Sequence, residues 1–401
     1  GFKLTNDHYG HFVGDAALRQ CAEIFKQISD GEARVYRLGG DEYAMMIGGA
    51  VAGTLLEGLS RRIIERLAKP IHVEDRRLTI GASIGLARRA PQDDATSSEL
   101  LRRADIAMYA SKRGGKMRCT WFNPAFDQSR EQLKEMDDEL RSALVNKEFR
   151  LHYQPLVDST TRMIVSAECL MRWDRPDGKR IGPNVFIPVA EESGLINSIG
   201  LWVLRQACCD ALEWDGISLS VNISAAQLRN PEFPIQLGHI LEKTGFPAGR
   251  LELEITETCL VLDPVVAERS LAVIRGFGVR IALDDFGTGF STLTQLRTLP
   301  FDRVKIDRSF VRELRRVAQA APELMHNREQ QDHIVNTLVS LGQGLQIPIT
   351  AEGIEDASIL ETLRGMGEMK GQGYLYGRPE DAAAVVKRLS ELDMLSESAK
   401  T

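Results

Sequence analysis

The sequence predicts an α/β protein of two successive units. A smaller mixed α/β domain spans residues 1–125, an eight-stranded (β/α)8 TIM-like barrel spans 150–390, and a helix over 126–149 joins them. Three observations predict this. With 401 residues, 43% hydrophobic and 26% charged, the chain carries enough apolar residues for more than one core. From residue 150 onward, strand-like and helix-like segments alternate for about 240 residues, the size and rhythm of such a barrel. Within those strands apolar side chains alternate with small or polar ones, and the polar face closes on a charged residue near the strand's C-terminal end.

In the first domain, Asp15 opens an amphipathic stretch. Leu18, Cys21, Ala22, Phe25 and Ile28 recur there at helical spacing, and Gly31 ends it. Residues 33–38 and 43–47 read as paired strands around the turn Gly39-Gly40-Asp41-Glu42. Residues 55–67 form a second helix and 77–87 one further alternating strand. Residues 99–114 form a third helix with the basic exit Lys112-Arg113. By itself, a Gly-Gly turn tipped with two acids is an ordinary hairpin. In the connection, Leu133, Met136, Leu140, Ala143 and Leu144 follow a helical stripe amid charged residues that face solvent.

In the second unit the strands fall at 150–156, 164–171, 218–223, 250–255, 280–284, 303–307, 348–352 and 371–375. Helices between them include 202–214, 235–244, 264–276 and 334–345. Leu219, Val221 and Ile223 alternate with Ser218, Ser220 and Asn222; Leu251, Leu253 and Ile255 alternate with Glu252 and Glu254. Val304 and Ile306 alternate with Lys305 and Asp307, and Ile349 and Ala351 with Thr350 and Glu352. The stretch Arg280–Phe290 organises the set. Its strand is expected to end between Asp284 and Asp285, so that both carboxylates serve one site, and Gly287-Thr288-Gly289 then lets the chain turn. Glu168, Asn222, Glu254, Asp284, Asp285 and Glu352 thus converge at the barrel's C-terminal rim with Lys305 as their one cation. Adjacent carboxylates repel, and burying them uncompensated is costly. Oxygen-rich ligands suit Mg2+ or Mn2+. A pair of such ions fits the in-line displacement of phosphodiester hydrolysis.

The net charge of −6 and a pI of about 5.8 argue against a long nucleic acid as partner and leave room for a small nucleotide held by local cations and metals. Cys21, Cys119, Cys169, Cys208, Cys209 and Cys259 form no Cys-x-x-Cys pair, and the seven histidines show no zinc spacing. Free thiols in a reducing cytoplasm follow. No apolar run approaches a membrane span and no signal peptide is present, so no membrane contact is expected within this chain; a membrane or sensory region upstream stays open.

Several segments of the first domain resemble the GGDEF family of diguanylate cyclases: Phe2-Lys3-Leu4-Thr5-Asn6-Asp7, Tyr9-Gly10-His11, Gly14-Asp15, Gly39-Gly40-Asp41-Glu42, and Ala104-Asp105 through Tyr109-Ala110-Ser111-Lys112-Arg113. The resemblance implies GTP contacts from Asn6 and Asp15 to the base, metal and phosphate chemistry at Asp41 and Glu42, and Lys112 near the phosphates. The family's first strand with its metal-binding Asp is not in this sequence, which implies a truncated GGDEF-type domain with a regulatory or dimerising role. The second unit resembles the EAL family of cyclic di-GMP phosphodiesterases. The matching segments are Tyr153-Gln154-Pro155, Glu168-Cys169-Leu170-Met171-Arg172-Trp173, Phe186–Glu191, Val221-Asn222-Ile223-Ser224, Glu254-Ile255-Thr256-Glu257, Leu283–Gly289, Lys305-Ile306-Asp307, Ala351–Glu355 and Gln372-Gly373-Tyr374.

That resemblance implies Glu168, Asn222, Glu254 and Asp284 on one metal, and Asp284, Asp285 and Glu352 on the other. It implies Lys305, with Asp285 and Glu352, in the catalytic set, and Gln154, Arg172, Asp307, Glu355 and Gln372 around the dinucleotide. Glu257 would fix the loop after Asp285. Cys169 stands where the family has Ala; by alternation it points away from the face of Glu168 and belongs to packing. Residues 314–331 are longer than usual for the family and suit a disordered insert or a dimer contact better than a lid. A metal-dependent phosphodiesterase opening cyclic di-GMP to linear pGpG is the expectation, in a homodimer. The alternatives are a cyclic di-GMP receptor without turnover, and a bifunctional cyclase and phosphodiesterase in a longer chain.

Overall fold

A computed structural model describes residues 2–49, 52–73, 75–89, 92–262, 264–287, 299, 301–312, 337–367 and 369–392. It divides into two compact units, Gly1–Glu135 and Met136–Thr401. The helix Pro124–Asn146 runs across that division.

In the first unit, helix α1 (Phe2–Ser29) begins well before Asp15 and kinks at Gly10, whose φ of 82° and ψ of 160° interrupt the helical path. Only a residue without a Cβ takes that conformation cheaply. Strands β1 (Arg34–Gly39) and β2 (Glu42–Met46) form an antiparallel hairpin from Arg34 opposite Met46 to Gly39 opposite Glu42. Helix α2 (Ala52–Ala68) follows. Val13, Ala17, Cys21, Ile24 and Phe25 of α1 pack with Ile63, Leu67, Ile71, Val73 and Leu78 into this unit's core. Tyr43 closes it from the hairpin, its ring edge-on to Phe25 at 5.1 Å and its hydroxyl donating to the Leu18 carbonyl at 2.8 Å.

The single strand expected over 77–87 is two. β4 (Arg76–Leu78) pairs antiparallel with β3 (Ile71–Val73), and β5 (Ile84–Leu86) pairs parallel with β6 (Cys119–Trp121). A strand exists only where a ladder partner satisfies its backbone, and residues 79–83 have none among the described residues. Helix α3 (Ser97–Arg113) is capped by Thr96, whose hydroxyl accepts from the Glu99 amide.

In the second unit eight strands close on themselves. β7 (Phe149–Asp158), β8 (Ile164–Asp174), β10 (Ser218–Asn222), β11 (Leu251–Thr256), β12 (Arg280–Phe286), β13 (Arg303–Ile306), β14 (Ile349–Ala351) and β15 (Lys370–Gln372) run in that order, with β15 returning to β7. β9 (Arg180–Ile181) extends the edge of β8. Two features depart from the expected regular barrel. β7 is antiparallel to both neighbours, because five residues (159–163) connect it to β8 and a parallel crossover needs a dozen or more. The last strand stops at Gln372 rather than running to 375. The outward faces meet the helices around fully buried Trp173, Trp214, Tyr153, Phe186 and Phe233. The insertion at 314–331 and residues 288–290 lie outside the described residues.

Candidate active site

Alternation places Glu168 on β8, Asn222 on β10, Glu254 on β11, Asp284 on β12, Lys305 on β13 and Gln372 on β15 toward the barrel interior, with Glu352 one residue past β14. They gather around one ammonium. Lys305 is fully buried, and its Nζ lies 2.6 Å from Glu352 Oε1, 2.7 Å from Glu254 Oε2, 3.3 Å from Glu168 Oε2 and 3.6 Å from Asp284 Oδ1. Asn222 Nδ2 donates to Glu168 Oε1 at 2.7 Å, and Gln372 Nε2 to Glu168 Oε2 at 2.6 Å. Gln372 Nε2 also reaches Gln154 Oε1 at 3.3 Å, while Gln154 Nε2 donates to the Gly377 carbonyl.

This crowding sets the protonation states. Burial alone would lower the Lys305 ammonium, but Asp284, Glu168, Glu254 and Glu352 outweigh it and push its pKa well above the usual lysine value. Burial, then the charge of Glu168, pushes Glu254 far up. Burial also works against the Glu168 carboxylate, yet Lys305, Gln372 and Asn222 overcome it and hold that carboxyl below its ordinary range. Burial raises Asp284 and carries Glu352 up to about 7.

Asp285 corrects the expected strand end. β12 continues to Phe286, but its register against β13 breaks between Leu283 and Phe286, and Asp285 takes a left-handed φ of 55°. A bulge, rather than the end of the strand, serves both carboxylates at one rim. Burial and the charge of Asp284 raise Asp285 to about 6. Beyond it the Gly287 amide donates to Glu257 Oε1 at 3.2 Å, so the buried Glu257 ties down the start of the following loop.

The remaining predicted residues make other contacts, although the charge of Asp307 also helps to raise Asp285. Arg172 is half-buried and donates to its neighbour's carbonyl, that of Met171. Asp307 accepts from the Ser309 amide, and Glu355 pairs with Arg312 at 3.6 Å. In the first unit Asp15, Asp41, Glu42 and Lys112 are exposed. Asn6 packs its side chain over Gly14, with Oδ1 buried and unpartnered. Among the described residues no hydrogen bond or ion pair joins these five.

Because the carboxylates wrap around Lys305, no group of three or more acidic, histidine or cysteine side chains among the described residues is already spaced to hold an ion. The donors themselves fit: all are oxygens, they converge at one rim, and Glu254 Oε1 is buried with no partner. Sequence reasoning missed the layer beneath. Two residues before Lys305 on the same face, Arg303 is buried and pairs with buried Glu252 at 3.2 Å. Period-two spacing from Lys305 was the signal for it.

The EAL domain matches residues 137–379, and the diguanylate cyclase GGDEF domain matches residues 1–118. An uncharacterized signaling protein of Caulobacter vibrioides is 38% identical over 386 residues, which cover 96% of this chain and 46% of that protein. The bifunctional diguanylate cyclase/cyclic di-GMP phosphodiesterase MucR of Pseudomonas aeruginosa is 35% identical over 390 residues, 95% of this chain and 55% of MucR. The chain thus spans about half the length of these curated relatives. The solved complex of the PaMucR phosphodiesterase with c-di-GMP is 34% identical with a TM-score of 0.58, covering 63% of this chain and 99% of that one. No described helix is long and apolar enough to cross a membrane.

Proposed function

We propose, on the premise that this chain belongs to the EAL domain family with a GGDEF domain ahead of it, that residues 137–379 hydrolyse cyclic di-GMP to linear pGpG with Mg2+ or Mn2+ bound, under regulation by the first unit. One observation carries the reading: four carboxylates, three from strands and Glu352 from just past a fourth, meet one buried ammonium at the rim where barrel active sites sit. The MucR activity and the c-di-GMP complex of its phosphodiesterase domain supply the substrate class.

Glu168, Asn222, Glu254 and Asp284 would hold one ion, and Asp284, Asp285 and Glu352 the other. A bound pair of divalent cations supplies charge that stabilises the attacking and leaving oxygens of an in-line displacement. The chain's own groups do the rest. Lys305 stays protonated and orients the attacking water by donating to its oxygen. Arg172 holds substrate phosphate by its fixed charge, with Gln154, Asp307, Glu355 and Gln372 around the dinucleotide. Glu257, through the Gly287 amide, keeps the Asp285 bulge in place. Water adds to phosphorus as one bridging P–O bond breaks, the departing sugar oxygen takes a proton, and one water is consumed.

The test is incubation of the full chain with cyclic di-GMP and Mg2+ or Mn2+, followed by separation of linear product. Turnover is expected, and Glu168→Ala or Asp284→Ala should abolish it. Tight binding with no product, metal being shown bound, selects a receptor instead; wild-type rate in either variant overturns the ligand assignment. Regulation is tested by titrating GTP into the same assay, where a flat rate removes that role from the first unit.

A further inference from the structure

Below the acidic rim the barrel interior turns cationic. Arg280 on β12, Arg303 on β13, Thr350 on β14 and Lys370 on β15 occupy four neighbouring strands and share the interior face. Arg303 is 2% exposed and Thr350 is fully buried, while Arg280 and Lys370 are half-buried toward the opposite mouth from the rim. Two carboxylates answer these three cations. Glu252 Oε1 lies 3.2 Å from Arg303 Nη1, but out of line for a hydrogen bond, and it accepts one from Ser220. Asp158, opposite Lys370 in the ladder, is engaged by the Thr160 and Thr161 amides. Arg303 Nε and Nη1, Arg280 Nε and Thr350 Oγ1 are left buried without a hydrogen-bond partner. Burial, with Arg303 next, pushes the Lys370 ammonium down to about 8, a sign of how crowded the cations are.

We infer that this floor is a binding site for one small inorganic anion, halide or oxyanion, held by Arg303 and Thr350 and flanked by Arg280 and Lys370. A buried guanidinium with unmade bonds is among the costlier features a core can carry. A compact anion supplies both charge and acceptors, whereas water supplies only acceptors. The guanidinium edge suits oxyanions. An eight-stranded barrel is filled by its own side chains, so nothing as large as a nucleotide fits. The site is separate from the rim and does not depend on the activity proposed there.

The experiment is a thermal melt of the full chain at constant ionic strength, exchanging a bulky organic anion, gluconate, for chloride, bromide or phosphate. Binding predicts an anion-specific rise in Tm that continues with the logarithm of concentration, since above the dissociation constant each tenfold increase in free anion multiplies the folded-to-unfolded ratio about tenfold. The rise should vanish in the charge-balanced double variant Glu252→Gln/Arg303→Met. Should that variant fail to fold, wild-type crystals soaked in bromide decide: an anomalous peak is expected against Arg303 and Thr350. A Tm that stays unchanged as chloride, bromide or phosphate replaces gluconate overturns the proposal. So does a bromide peak without a Tm shift, which is binding at crystal concentration only, or no peak at all.

Discussion

Replacing Lys305 by Met keeps the length of the side chain and removes the ammonium from the centre of four carboxylates. At an effective dielectric near 20, a contact at 2.6 Å is worth ~6 kcal/mol of Coulomb attraction, and one at 3.6 Å ~5 kcal/mol. Desolvation of a fully buried ion and repulsion among the carboxylates cancel most of this. The net cost of deleting one partner of a buried pair is about 3–5 kcal/mol. The carboxylates left behind limit the damage by taking up protons, so the loss should stay in that range. With EDTA present, urea unfolding followed by tryptophan fluorescence measures it, since Trp173, Trp202 and Trp214 all lie in the second unit. For a slope of ~3 kcal/mol/M the midpoint should fall by about 1–1.7 M. Saturating Mg2+ or Mn2+ should recover most of the shift, because a second cation then answers the same oxygens. A variant whose metal-free midpoint stays within about 0.2 M of wild type would refute the claim that this ammonium is what makes the acidic rim tolerable.

Three further outcomes are expected. Lys370 has its folded pKa depressed to about 8 against ~10.4 unfolded, so its contribution is full above the unfolded value and lost as pH falls through about 8. Wild type should therefore gain stability relative to Lys370→Met between pH ~8 and ~10.5, by at most about 1–2 kcal/mol at this half-exposed site, read from paired urea melts. Gly287→Ala places a Cβ 2.9 Å from the Phe310 ring at a φ of 97°, and should cost about 1–3 kcal/mol in the same melts. Cys169→Ala should lose about 1–2 kcal/mol from its buried site yet keep turnover within about twofold; a large drop in rate at intact folding would overturn its assignment to packing.

Much of the barrel was legible because its strands write their two faces in period two. Leu219, Val221 and Ile223 against Ser218, Ser220 and Asn222 give the strand, its inner face and its neighbours at once. The convergence of Glu168, Glu254, Asp284 and Glu352 followed from placing charged residues at strand ends. Three things were not legible. The direction of β7 depends on a loop length whose meaning emerges only when both flanking strands are fixed. The Asp285 bulge is a local backbone choice: aspartate tolerates the left-handed region, but nothing in the strand's alternation marks which residue takes it. In the first unit, 77–87 alternates well, but alternation cannot say whether a ladder partner exists, and the strand breaks where none does.

The two charged layers of the barrel make one physical problem with opposite signs. At the rim, four carboxylates exceed one lysine, and the excess negative charge is the reason to expect divalent cations. At the floor, Arg280, Arg303 and Lys370 exceed Glu252 and Asp158, and the excess is positive. Side chains two residues apart on the same strands belong to each layer: Glu252 and Glu254, Arg303 and Lys305, Lys370 and Gln372. The layers therefore attract one another along the barrel axis, and each is stabilised by the other's imbalance. Neutralising the floor should make the rim harder to hold without metal. An anion at the floor and cations at the rim should then each tighten the other's binding, since each removes part of the field that opposes the other's ligand.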